Sequence, residues 1–390
     1  MFLGGGCAYH YTPAVCDEIA GRGELISCYG QGAYSDHGKN QIFFEAQTMI
    51  CMLLGMEFTA QTCHDGAQAA ATAVSMANRI TGRKKILLPA NMNPQILSTV
   101  KNYCYSVQEE QRLDLVMVNY DSKTGMVDLE DLKSKLDDTV AGVYLENPNY
   151  LGQLEADAPQ IGQLAKAAGA EFIVNANPLS LGVIEAPANY GVTIAICDLH
   201  DLGCHLSSGG SQSGIIATPD DMKHMSETKD LAFGMVDTIK EGEYGFTLNL
   251  YERTHYAIRE KGKEFTGTQS NYWFNYAATY LTLLGPEGTK EVADTIMTNA
   301  LYGAQKIGEL PGVSIRFEGS FFEEFVVDFS ESGKTVREIN SALLDRQIFG
   351  GLDLSECFPE LGQSALYCIT EVITKDEIDG LVDALREILQ

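Results

Sequence analysis

The chain has 390 residues, 45% of them apolar, and a formal net charge of −26. That length exceeds one simple core and predicts a large domain with a smaller one beside it. The charge argues against nucleic acid and anionic membranes as partners, and no apolar run approaches the roughly eighteen residues of a membrane span.

The opening stretch, MFLGGGCAYHY, lacks a basic n-region and a long apolar run, so no secretory signal is expected. Ten cysteines are scattered without a CxxC pair. Such usage predicts reduced thiols and a cytoplasmic setting.

Residues 1–40 are rich in Gly and Tyr and predict an irregular N-terminal arm. Residues 41–55 carry apolar side chains at helical spacing and stop at Gly55. Asp65 can cap a helix over Gly66–Arg79, which its alanines favour. Strands and helices then alternate: strand Ile86–Leu88, helix from the Asn93–Pro94 cap pair to Tyr103, strand Leu113–Val118 and helix Leu129–Leu136. Strand Val140–Leu145 and helix Pro159–Ala168 follow. Three short β-branched runs come next, Phe172–Val174, Thr193–Ile196 and Ile215–Ala217, each expected as a buried strand of a parallel sheet. The alternation predicts an α/β large domain over 41–270, mostly parallel, with helices on both faces. A strand is expected at Phe246–Leu250. Residues 271–390 read as a C-terminal α+β domain. It should hold a helix ending at Gly285, another over Thr289–Ile307, strands Val313–Phe317 and Glu324–Asp328, and a last helix from Lys375.

Ligands of open α/β sheets gather outside the carboxyl ends of the strands. There the sequence places Asn175, Asn177, Asp198, His200, Asp201, Cys204 and His205. Cys197, His200, Cys204 and His205 are ligand types that zinc or iron takes, although no standard finger spacing is met. Burial of the thiols as small apolar groups is the competing reading.

Several segments together resemble one family. They are FLGGGCAYHYTPAV, FFEAQTMICMLLGM, HDGAQAAATA, PNYLGQLE, PLSLGVIEAPANYG, LGCHLSSGG, YGFTLNLYERTHYAIREK, YLTLLGPEG and TEVITKDEIDGLVDAL. In this order and spacing they resemble the α subunits of two-subunit glycine dehydrogenases (decarboxylating), the P-protein of the glycine cleavage system. The resemblance implies a type I pyridoxal-phosphate fold and a partner β subunit that carries the cofactor lysine. It also implies glycine decarboxylation, with aminomethyl transfer to the lipoyl arm of an H-protein.

A pyridoxal-phosphate site needs a Schiff-base lysine, an Asp on the pyridinium nitrogen and free amides for the phosphate. By the resemblance, the lysine position holds His200, and 197–218 contains no lysine. The Asp position holds Asn177, whose neutral amide cannot stabilise a pyridinium as a carboxylate does. The phosphate seat, at the start of the Gly66–Arg79 helix, holds Asp65, which would repel a phosphate. The chain alone is therefore expected to bind no pyridoxal phosphate.

The chain departs from the family where it would approach cofactor or substrate. A YTPYQPE-like segment reads YGQGAYSDHG, with Tyr34 and His37, and an ATSN-like segment reads GKEFTGT, with Thr266. The family's usual segment before FLG is also absent from this sequence. His10, Tyr11, His64 and Asn149 complete the residues expected to line the site. Arm packing or turn geometry competes for His10, Tyr11 and Asn149. Two alternatives stand beside the glycine decarboxylase reading. One is a divergent paralogue acting on another amine or amino acid with a cofactor-bearing partner. The other is a structural or metal-binding protein on a retired fold.

Overall fold

The structure is a computed structural model. It describes the chain except residues 7, 26–36, 61, 107, 208–209, 211–212, 229–231, 250–254 and 260–270.

Helix α1 (Ala14–Ala20) and helix α2 (His37–Leu54) come first, then the short strand β1 (Phe58–Thr59) and helix α3 (Gly66–Thr81). Strand β2 (Lys85–Pro89), helix α4 (Pro94–Cys104), strand β3 (Asp114–Val118), helix α5 (Leu129–Lys135) and strand β4 (Val140–Asn147) continue the alternation. Helix α6 (Ala158–Ala168) leads into strands β5 (Glu171–Ala176), β6 (Ile194–Asp198) and β7 (Gly214–Thr218). The caps that mark the helix starts are formed: Asp65 accepts from the Gln68 amide, and Asn93 from the Gln95 amide beside Pro94.

The seven strands form one sheet in the order β1-β7-β6-β5-β4-β2-β3. Strands β3, β2, β4, β5 and β6 run parallel. Strand β7 does not: it pairs antiparallel to β6, Cys197 opposite Ile215 and Asp198 opposite Gly214. The expectation of a parallel strand there is overturned by its connection. A parallel return needs a crossover, usually a helix, and the described residues of 199–213 hold none.

Side chains alternate between two buried faces. Ile86, Leu88, Ile173, Ile194 and Ile196 pack under α3 and α4, while Leu87, Phe172, Val174, Ala195 and Cys197 face the opposite core. Both faces are covered, which is why the strands read as continuous apolar runs.

After β7 come helix α7 (Met222–Met225), strands β8 (Ala232–Asp237) and β9 (Tyr244–Asn249), and helix α8 (His255–Ile258). Strands β8 and β9 make a separate ribbon, which includes the strand expected from Phe246. Helix α9 spans Tyr272–Gly308 and is broken at Gly285 (φ 60°, ψ −174°), with Pro286 opening its second half. The two helices expected there are thus its two halves.

The C-terminal sheet runs β10 (Ser314–Ile315), β11 (Glu324–Asp328), β13 (Ser364–Cys368), β12 (Leu352–Asp353), all antiparallel. Helices α10 (Val336–Leu344) and α11 (Lys375–Ile388) cover it, each opened by a capping box. The strand expected over Val313–Phe317 pairs only at Ser314–Ile315.

The N-terminal arm departs from expectation. Helix α1 packs against α9. Ahead of it the chain lies along β13, with a bridge between Leu3 and Tyr367, and the Cys368 amide donates to Phe2 O. The glycines and tyrosines gave no period, but the sheet edge offers amides and carbonyls that an extended segment can pair with.

Gly152 follows β4 with φ +86°, and a Cβ there would sit 1.9 Å from the Glu324 carbonyl oxygen. Gly152→Ala is expected to cost roughly 3 kcal/mol or more, read by urea denaturation. Wild-type stability in that variant would show that the two sheets do not press together at this point.

Candidate active site

The carboxyl ends of β4, β5 and β6 open into a cavity of about 110 Å³. Five carboxylates line it: Glu146, Asp198, Asp201, Glu323 and Glu324. Among the described residues, no Lys, Arg or His lines it. It adjoins a wider cleft of about 640 Å³, with Gly6, Asn93, Ile96, Tyr150, Asn175 and Asp198 common to both.

Each carboxylate comes from a different constraint. Glu146 is the last residue but one of the buried strand β4, accepting from the Tyr144 hydroxyl (3.1 Å) and the Asn93 amide (2.9 Å). Burial pushes its carboxyl up to about 7, although these hydrogen bonds favour the charged form. Glu324 takes the amides of Gly5 (2.6 Å) and Gly6 (3.1 Å) from the arm, and burial raises it. Glu323 holds the Asn177 amide group at 2.9 Å. Burial raises Glu323 as well, against the pull of His10.

His10 sits inside the protein, 5% exposed. Its Nδ1 donates to Glu371 Oε2 at 2.9 Å, and its Nε2 lies 3.5 Å from Glu323 and 3.6 Å from Asp201. Burial alone would lower its pKa. The hydrogen bond to Glu371 and the fields of Asp201 and Glu323 outweigh that and raise it to about 9. Glu371 also accepts from the Tyr11 amide at 2.6 Å, while the Tyr11 ring is exposed.

Asp65, Gly66 and Ala67, at the start of α3, line the wider cleft. Asp65 Oδ1 accepts from the Gln68 amide (2.7 Å), and Asp198 Oδ2 accepts from the Gly66 amide (2.7 Å). Asp198 Oδ1 takes the His200 amide at 2.8 Å. His64 is exposed, its amide bonded to the Gln68 side chain. His200 is buried; its Nε2 donates to Ala8 O (3.0 Å), and its Nδ1 has no hydrogen-bond partner among the described residues. Asn177 turns its Oδ1 to the amides of Leu179 and Ser180, closing the turn after β5.

Asn149 is buried in its turn, bonded to Gly125 O and Glu155 and to the amides of Leu151 and Gln153; it does not present a free group. Tyr34 and Thr266 lie outside the described residues, as does the side chain of His37.

The four residues weighed as metal ligands are not brought together. Cys197 is buried in β6, and the Cys204 thiol points at Leu199 O (3.6 Å). His205 lies on the surface, paired with Asp17 at 2.9 Å. Among the described residues no group of three or more His, Cys, Asp or Glu has metal-holding geometry. Of the residues around the cavity, sequence reasoning passed over Glu146, Glu323, Glu324 and Glu371. Two charges inside the apolar run FFEEFVV were the available signal for the middle pair.

The fold is that of the type I pyridoxal-phosphate-dependent enzymes. Solved structures of a sphingosine-1-phosphate lyase from Burkholderia pseudomallei (TM-score 0.70, 15% identity, 100% of this chain and 84% of that one) and a NifS-like protein (0.68, 15%, 100% and 99%) share it. Crystalline glycine decarboxylase (P-protein) of the glycine cleavage system, in inhibitor-bound form, aligns far better: TM-score 0.90, 31% identity, 99% of this chain and 84% of that one. Residues 1–385 match the family described as glycine cleavage system P-protein, and the chain belongs to that family. Among its relatives are the probable glycine dehydrogenase (decarboxylating) subunits 1 of Staphylothermus marinus and Chlorobium luteolum. The first is 36% identical, over 100% of this chain and 82% of that protein; the second is 37% identical, over 99% and 84%.

The residues present do not fit the pyridoxal phosphate that the fold implies. At the α3 start the Gly66 amide is bonded to Asp198 and the Gln68 amide to Asp65, and the adjoining cavity is lined by acids. Like charges about 4 Å apart repel by about 4 kcal/mol at an effective dielectric of 20.

His10 sets a pH dependence. Its folded pKa is raised, so its contribution is complete below about 6.5 and is lost as pH rises through about 9. Wild-type stability should fall by up to about 3 kcal/mol more than that of His10→Gln across this window, in urea melts at stepped pH. Parallel pH profiles for the two proteins would refute a buried imidazolium.

Proposed function

We propose that this chain is the lysine-less α half of a two-subunit glycine decarboxylase. The observation that carries the reading is the full-length likeness to proteins named glycine dehydrogenase (decarboxylating) subunit 1. A second subunit holds pyridoxal phosphate on its own lysine. There the cofactor supplies the electron sink for decarboxylation of glycine. The aminomethyl group then passes to the lipoyl arm of an H-protein. The present chain completes and shapes that site from outside. Its own cavity supports the division of labour: His200 stands at the lysine position with Nε2 bonded to Ala8 O, Asn177 is engaged in its turn, and the anion seat is filled by carboxylates. The free thiols of the described cysteines suit a reducing, cytoplasmic compartment.

The isolated chain should neither exchange bicarbonate into the carboxyl group of glycine nor acquire a pyridoxal-phosphate absorbance band. Co-purified with a lysine-bearing second subunit and given lipoylated H-protein, it should support the exchange. No exchange with active H-protein present overturns the assignment of glycine as substrate.

A further inference from the structure

We infer that Asp198, together with Asp65, decides where the cofactor goes: their carboxylates occupy the anion seat of this fold as built-in ligands, so this chain refuses the cofactor's phosphate. The inference rests on the reading above and names the residues responsible.

A helix start offers unpaired amides and a partial positive charge, and together these make it a receptor for anions. Helix α3 is long enough, at sixteen residues, to express that property fully. It begins at the edge where β6 ends, so a ligand lying over the sheet would meet it. Two carboxylates meet it first. Asp65 caps it locally, a common arrangement. Asp198 is not local: it reaches from the end of β6, 132 positions along the chain, to the first amide of the helix at 2.7 Å. Its other oxygen holds the His200 amide, so one side chain joins strand, loop and helix. A single helix start therefore carries two negative charges, one more than capping requires.

The surroundings agree. Burial moves Glu146, Glu323 and Glu324 toward their neutral forms, and the carboxylates that touch the helix amides are those of Asp65 and Asp198. Their substitution should reopen the seat without altering the rest of the cavity. Asn is close to isosteric with Asp and caps helices equally well, so it removes charge and preserves shape.

The test uses the full chain without its partner, as wild type, Asp65→Asn, Asp198→Asn and the double variant. The probes are inorganic phosphate and pyridoxal phosphate, titrated by calorimetry, with circular dichroism to verify folding. Wild type should show no saturable binding of either. The double variant should bind phosphate at least about tenfold more tightly than wild type, with pyridoxal phosphate competing. Saturable phosphate or pyridoxal-phosphate binding at this seat by wild type overturns the inference. So does a folded double variant that binds no better than wild type. Should the double variant not fold, Asp65→Asn, which keeps the cap, decides by the same comparison. These titrations involve neither glycine nor H-protein, so their outcome is separate from that of the exchange assay.

Discussion

The hydrogen bond from the Gly66 amide to Asp198 is the constraint on which the site depends. A parallel sheet with helices on both faces brings strand ends and helix starts to one edge, and that edge normally waits for a ligand. Here the Gly66 and Gln68 amides are satisfied from within the chain. The loop after β6 is consequently held by Asp198 on one side and by the His200 contact to Ala8 on the other.

The N-terminal arm completes the arrangement. The amides of Gly5 and Gly6 rest on Glu324, Tyr9 O accepts from the Thr370 hydroxyl, and Thr12 bonds to Cys204 O. Within ten residues the arm thus touches the C-terminal sheet and the loop after β6. His10 sits among Asp201, Glu323 and Glu371, three acids from three separate segments. Such a cluster tolerates burial because the imidazolium compensates the Glu371 carboxylate bonded to it, while burial shifts Glu323 toward its neutral form.

Much of the fold could be read from the chain because its signals are local. Asp65, and Asn93 with Pro94, mark helix starts, and the β-branched runs mark strands whose ends fall within a residue or two of those observed. The antiparallel turn of β7 was hidden, since apolar runs carry no direction. The role of the arm was hidden as well, because extended pairing to a sheet edge needs no periodicity. The acid cavity was the hardest part. Glu146 closes one apolar strand and Glu323–Glu324 open another, and nothing in either segment states that they meet. That residues 197–218 contain no lysine could be read directly, because an absence over a short stretch requires no geometry.

Helix α9 has a consequence of its own. Phe274, Tyr280, Ala293 and Ile296 belong to the core of the large sheet, and Ala300, Ala304 and Ile307 to that of the small one. The half of the helix after Gly285 is therefore a wall of two rooms, with Ala293 and Ile296 in one and Ala300, Ala304 and Ile307 in the other. Neither core can come apart without stripping apolar surface from a segment the other also needs, so their melting is coupled. A subunit that must present a fixed surface to its neighbour gains a rigid body from that shared beam.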